Sequence, residues 1–401
     1  MTGHDLLLQH FPAAQRSLRI AIVTETYPPE INGVAMTMGR IVTGLQARGH
    51  AIQLIRPRQG ATDQPARQPL LEEVLQRGLP IPRHDPLKLG LPAKQALTRL
   101  WVRQRPDIVH VVTEGPLGWS ALSAANKLRL PVATDFHTNF HSYSEHYGVG
   151  WLKKPITAYL RKFHNKAQRT LVPTSSLRDE LAALGLSNLQ VVARGVDTRL
   201  FGPGRRNRAL RAQWGAGDHD LVVLHVGRLA PEKNLSDMLR TWAAIAELRP
   251  DAKLVLVGDG PERAHLQRAH PAIIFAGMRS GEDLAAHYAS GDVFLFPSLT
   301  ETYGNVTIEA MASGLAVLAY DYAAAREHIR HTINGLLAPR GNSGEFLALA
   351  TALVRDETRI RELGARATET ASHLDWWNII SDFERVMLEV TAAAPDADAL
   401  A

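Results

Sequence analysis

Two glutamates eight positions apart, Glu301 and Glu309, bracket the stretch DVFLFPSLTETYGNVTIEAMASGLAVLAY, residues 292–320. An apolar strand at 293–296 runs into a polar loop at 297–303. Gly304 opens a helix that closes at Gly314, and a second apolar strand follows at 315–320. Loops at the carboxyl ends of parallel strands are where open α/β sheets bind ligands. The amides of Gly304, Asn305 and Val306 stand at the helix N-terminus, where free N–H groups and the positive dipole suit a phosphate. Glu309, over a turn further along, could accept hydrogen bonds from ribose hydroxyls. Glu301, ahead of the helix, could hold hydroxyls of a group beyond the phosphates. A sugar, a diphosphate and a nucleoside in a row would satisfy that order. Taken alone, the spacing equally describes a capped amphipathic helix with two solvated glutamates.

Other candidates fall on other strand ends. GRLAPEKN, residues 227–234, follows an apolar run at 221–226. Its Arg228 and Lys233 offer a diphosphate a planar fork and a point charge. GMRS, residues 277–280, follows a run at 273–275 and could set the backbone at Met278 against a base. In the first half, LRIAIVT is a buried-strand pattern, and TYPPEINGV after it breaks at Pro28-Pro29 and turns at Asn32-Gly33. Apolar residues at 34, 38, 41 and 45 then describe a helix that stops at Gly49. With one useful glycine, Gly33, this βα unit is no dinucleotide fingerprint, and hydride transfer is not indicated. His137 follows a strand at 132–136 and is the candidate active-site histidine among 17.

The elements that must position these groups alternate strand and helix, which predicts parallel sheets. Strands are expected at 51–56, 108–112, 132–136, 253–257 and 293–296, with a flexible loop at 57–68. A chain of 401 residues suits two or three domains. The alternation runs twice, so two Rossmann-like domains are expected, at 1–197 and 220–375. The glycine-, proline- and arginine-containing stretch at 198–219 reads as the linker.

The chain has no cysteine, so disulfides and thiolate metal sites are excluded, and a reducing compartment fits. His141 and His146 are five apart and do not share a helical face, so no zinc site is read. The first twenty residues have too short an apolar run for a signal peptide, and no run of 18 apolar residues is present. The net charge is +5. Residues 146–178 contain no acid and interleave lysines and arginines with Trp151, Leu152, Ile156, Tyr159, Leu160 and Phe163. Such a basic amphipathic helix can lie in an anionic lipid interface, or it can pack on a sheet with its basic face in water. No nucleic-acid module accompanies the charge.

The segments TYPPEINGV, FHTNF, RGVD, GRLAPEKN, VGDGPE and ETYGNVTIEAMASGLAV, in this order over nearly the whole chain, resemble family 4 of the retaining glycosyltransferases. The first two resemble most closely the members that transfer mannose or glucose to lipids, including GDP-mannose-dependent mannosyltransferases. The resemblance implies a GT-B fold, two facing Rossmann-like domains with a cleft between them, and a final helix at 376–391 that carries the segment 376–401 back to the first domain. The first domain would be the acceptor side and the second would bind the nucleotide sugar. It implies that Gly33 lets its loop approach diphosphate and sugar, and that His137 contacts the transferred sugar. Arg228, Lys233 and the amides of Asn305 and Val306 would hold the diphosphate, Glu301 the sugar and Glu309 the ribose. The donor would be a nucleotide sugar, GDP-mannose or a UDP-hexose. The acceptor would be a membrane lipid such as diacylglycerol or phosphatidylinositol, met from the cytoplasmic side at an anionic surface. A soluble or polysaccharide acceptor is the alternative, and an epimerase or a silent binding module would share the architecture. No cofactor or metal is expected: Asp218-His219-Asp220 and Asp396-Ala397-Asp398 have the spelling of a metal-binding D-x-D but fall in the linker and the terminal tail.

Overall fold

A computed structural model describes residues 16–30, 32–60, 62–80, 88–137 and 153–393. Among these residues the strands form two large sheets. The first runs in spatial order Leu189–Val191, Arg169–Val172, Val132–Asp135, Ile108–Val111, Arg19–Val23, Ala51–Pro57, Leu71–Gln76, Arg67–Gln68. All its pairings are parallel except the edge strand Arg67–Gln68. The second runs Ile274–Gly277, Lys253–Val257, Val222–Val226, Val293–Phe296, Ala316–Tyr320, Leu336–Ala338, parallel throughout.

The central strands are buried on both faces, as parallel strands covered by helices must be. In the first sheet Ile20 and Ile22 face the helices Gly33–Ala47 and Trp376–Ala392, while Ala21 and Val23 face Lys94–Arg103 and Pro116–Lys127. Each such aliphatic side chain contributes about 1.5–3 kcal/mol by leaving water. A charge at Ile22, which is fully buried, would break this layer. In the second sheet Val222 and Leu224 face the helices Asn305–Ala312 and Glu357–Ser372, and Val223 faces Leu235–Leu248 and Ser343–Leu353.

The last helix, Trp376–Ala392, belongs to the first core: Ile380, Phe383, Val386, Met387 and Val390 pack beside Ile20, Ile52 and Ile108. Buried Glu384 fastens it, meeting Arg48 at 2.5 Å and His50 Nε2 at 2.8 Å. The segment 198–219 is packed rather than extended. Phe201 and Trp214 enter the second core, and the guanidinium of buried Arg211 donates to the carbonyls of Ser290, Gly217 and Asp220.

Elsewhere the structure subdivides or replaces what was expected. Trp151 and Leu152 lie outside the described residues; from 153 onward the basic stretch forms the helix Lys153–His164, the strand Arg169–Val172 and the helix Ser175–Ala183. Within 57–68, Asp63 is held by two bonds to the guanidinium of buried Arg56, at 2.7 and 3.0 Å, which pins the loop. The strand Leu71–Gln76 escapes sequence reading because LEEVLQ carries two glutamates and has no β-branched run. It forms by adding to the edge of Ala51–Pro57.

Candidate active site

Each sheet has one point where the chain reverses its direction of travel. In the second sheet the chain leaves Val222–Val226 towards Lys253–Val257 and returns to Val293–Phe296 on the other side. In the first it leaves Arg19–Val23 towards Ala51–Pro57 and returns to Ile108–Val111. Open α/β sheets bind ligands outside the strand carboxyl ends at such points. The two points line one cleft of about 1130 Å³.

At the second sheet's point, Leu224 pairs with Phe294, so the loops after both strands emerge side by side. One carries Arg228 and Lys233, the other Glu301. Lys233 Nζ is in ion-pair contact with Glu301, whose Oε1 also accepts a bond from Ser298 Oγ at 2.7 Å. Arg228 Nη1 lies 3.7 Å from the buried carboxylate of Glu232. The loop of VGDGPE packs behind: a Cβ on Gly258 would fall 2.0 Å from the Gly227 carbonyl, so glycine is required for that approach. Gly304, with φ of +90°, turns the chain into the helix Asn305–Ala312, whose N-terminus has no side-chain cap. Its first amides are therefore available to an anion. Two buried oxygens of cleft-lining residues, Thr300 Oγ1 and Asn305 Oδ1, have no hydrogen-bond partner among the described residues.

The other wall holds Gly33 and His137. His137 is buried; its Nδ1 accepts a bond from Arg194 Nη2 at 2.7 Å, and its Nε2 is 2.8 Å from Asp135 Oδ2. Because arginine can only donate, Nδ1 is unprotonated and the proton sits on Nε2, facing the carboxylate. Burial by itself would raise the Asp135 carboxyl, but the imidazoles of His137 and His110 hold it well below the usual range. Burial pulls the Arg194 pKa down, with the Asp135 charge opposing. The Arg194 carbonyl accepts the hydroxyl of Tyr303 at 2.8 Å, which ties the glutamate loop to the crossing segment.

The cleft thus brings together Gly33, His137, Arg228, Lys233, Glu301, Gly304, Asn305 and Val306. It does not bring in every sequence candidate. Met278 is 69% exposed and is not among the lining residues. Glu309 is also absent from the lining; its carboxylate accepts a bond from Tyr288 OH at 2.9 Å, and burial pushes it up to about 7. Sequence reading missed Arg194, although it opens the quoted RGVD. It also missed Glu25 and Glu114, which carry no local motif and meet only through the sheet. Asp218 pairs with Arg208 and Asp220 accepts from the Gly217 amide, so this D-x-D spelling serves its own turn; Asp396 and Asp398 lie outside the described residues. Among the described residues no group of three or more His, Asp or Glu side chains could hold a metal ion, and no helix is long and apolar enough to cross a membrane.

Comparison with known proteins bears directly on this architecture. The model for "Glycosyltransferase Family 4" matches residues 31–200, and that for "Glycosyl transferases group 1" matches residues 220–356. A GDP-mannose-dependent alpha-mannosyltransferase of Corynebacterium glutamicum is 34% identical over 90% of this chain and 86% of its own length. The chain belongs to glycosyltransferase family 4. This glycosyltransferase is also 26% identical to the alpha-monoglucosyldiacylglycerol synthase of Streptococcus pneumoniae, over 76% of this chain and 71% of that one. Its fold is GT-B. A sucrose-phosphate synthase from Thermosynechococcus elongatus superposes with a TM-score of 0.74 at 19% identity, over 94% of this chain and 100% of that one. As a glycosyltransferase the chain is neither a nucleotide-sugar epimerase nor a silent binding module.

Proposed function

We propose that the enzyme transfers a hexose, with retention, from a nucleoside-diphosphate sugar to a hydroxyl of a membrane lipid. Mannose from GDP-mannose is the first candidate donor, and diacylglycerol or phosphatidylinositol are candidate acceptors. The observation that carries the reading is the second sheet's switch point, where Arg228, Lys233 and an uncapped helix N-terminus converge on one side of the cleft. The relatives named above, one GDP-mannose-dependent and one a synthase of a glucosyldiacylglycerol, support the substrate classes.

In this reading the bond between the anomeric carbon and the diphosphate oxygen breaks, and its electron pair stays on the diphosphate. Arg228, Lys233 and the amides of Asn305 and Val306 stabilise that charge as it develops. The acceptor oxygen attacks the same face and gives its proton to the departing phosphate oxygen. Glu301 holds sugar hydroxyls, and Lys233 beside it keeps the carboxylate in place. Gly33 leaves room for the diphosphate and sugar, and His137 contacts the sugar from the opposite wall. Transfer needs no metal, because the cations and amides already face the leaving group.

The helix Lys153–His164 supports a site at the inner membrane surface. Ile156 and Leu160 line the cleft, whereas Lys154, Arg161 and Lys162 are exposed. An anionic surface would attract such a rim.

A donor panel in EDTA tests this. GDP-mannose, UDP-glucose, UDP-galactose and UDP-glucuronate are supplied with and without lipid vesicles, and released nucleoside diphosphate is read. Release from one donor that depends on lipid is expected. Lipid-independent release would point to a soluble acceptor or to hydrolysis, and a requirement for magnesium or manganese would overturn the metal-free step.

A further inference from the structure

The first sheet's switch point has a chemistry that the donor does not use. We propose that it is the acceptor subsite, and that Glu25 and Glu114 there hold the hydroxyls of an uncharged polyol headgroup. The inference rests on the glycosyl-transfer reading above and names the acceptor class for the same cleft.

The strands Arg19–Val23 and Ile108–Val111 lie side by side with Val23 opposite Val111. Glu25 and Glu114 follow within two or three residues, so both reach the crevice where the direction of winding reverses, and both line the cleft. Glu25 is held by design of the backbone. Its N–H donates to Thr113 Oγ1 at 3.0 Å, and its Oε1 accepts the Leu117 amide at 3.2 Å. Gly115 makes this approach possible: a Cβ there would lie 2.1 Å from both carboxylate oxygens. Glu114 is only 7% exposed; its buried Oε1 is in ion-pair contact with His164 Nε2 at 3.4 Å, and among the described residues neither atom has a hydrogen bond. Tyr159, on the rim helix, fixes the loop by donating to the Glu114 carbonyl at 2.5 Å.

A buried acceptor oxygen whose nearest donor stands off at 3.4 Å is poorly satisfied, and a bound hydroxyl would complete it. Burial, with the Glu114 charge adding, pushes Glu25 up to about 7, against the pull of the Leu117 amide. Near neutrality Glu25 therefore both donates and accepts, which suits the mixed donor and acceptor character of hydroxyls. Two neighbouring carboxyls repel an anion, which favours glycerol or a neutral sugar as the group presented here. Lys88 lines the same cleft, so an anionic headgroup is the competing occupant.

The test uses the full-length enzyme with its working donor. Acceptors are phosphatidylcholine vesicles carrying diacylglycerol or monoglucosyldiacylglycerol, the same vesicles carrying phosphatidylinositol, and soluble methyl glucoside. Preference for the neutral lipids is expected. Glu25→Gln and Glu114→Gln should each raise the acceptor KM at least tenfold, while the Kd of the nucleoside diphosphate by calorimetry moves less than twofold. Gly115→Ala should act like Glu25→Gln by displacing the carboxylate, and keeps the test open if Glu114→Gln does not fold. An unchanged acceptor KM in Glu25→Gln, or preference for phosphatidylinositol, would overturn the subsite. Transfer to methyl glucoside alone, still weakened by Glu25→Gln, would remove the lipid and keep the subsite. Donor hydrolysis with no acceptor used would remove both.

Discussion

The two switch points obey one topological rule and carry opposite chemistry. The second sheet's point gathers Arg228, Lys233 and free helix amides, with Glu301 as counter-charge. The first sheet's point gathers Glu25 and Glu114 beside the buried set of His137, Asp135 and Arg194. A leaving diphosphate needs positive charge, and a hydroxylated acceptor needs oxygens that accept. On the proposed reading, duplicating the fold and differentiating the strand ends meets both demands in one cleft. The halves are joined by specific contacts rather than by the chain alone: Tyr303 to the Arg194 carbonyl and Ser175 to Glu327 at 2.8 Å.

The sharpest way to break this division is at its cationic side. Lys233→Ala removes the charge proposed to act on the leaving group and takes the ion-pair partner from Glu301. A loss of about 10²–10³ in kcat is expected, the size typical of losing one such donor. Loss confined to KM for the donor would mean that Lys233 only binds, and the division would blur. On the other wall Arg194→Ala takes the donor away from His137 Nδ1 while Asp135 stays in place. Losing this buried hydrogen bond should lower kcat/KM about ten- to a hundredfold while the melting temperature changes little. A matching drop in melting temperature would make Arg194 a packing residue.

The smallest effect concerns stability. Glu25 has its folded pKa raised to about 7, above its ordinary value near 4.5. The folded state therefore binds the proton more tightly than the unfolded state. This stabilisation is complete below the ordinary value and is lost as pH rises through about 7. Glu25→Gln does not titrate, so its melting temperature relative to the parent should rise between pH 5 and pH 8. Thermal scans at four pH values read this; a flat difference would mean that the carboxyl is not desolvated, and the contrast between the switch points would weaken.

What could be read from the chain follows the same division. The donor side lies in contiguous words: GRLAPEKN puts Arg228 and Lys233 on one loop, and the ETYGNV of the glutamate stretch puts a loop carboxylate and helix amides on the next. Local rules for turns and helix ends suffice to interpret them. Buried strands at 222–226, 293–296 and 316–320 announce themselves as apolar runs. The helix that returns to the first domain, and its destination, were implied by resemblance. The acceptor side offered less. Glu25 and Glu114 are 89 positions apart in the chain, and nothing local distinguishes them from solvated acids. The short strands Arg169–Val172 and Leu189–Val191 hid in a basic stretch and a polar one, because their pairing partners decide their conformation.

By itself, then, the sequence determined the alternation of strands and helices, the family, the cationic loop and the glutamate loop. Those properties depend on periodicity and on residues close in the chain. Tertiary structure decided which carboxylates face the cleft and which face a tyrosine, as Glu309 does. It also decided that Arg194 donates to His137 Nδ1, and that a single glycine at 115 lets Glu25 meet its helix. These depend on strand order and close backbone approach, which bring distant positions to one low-dielectric place where a charge or a missing partner has consequences.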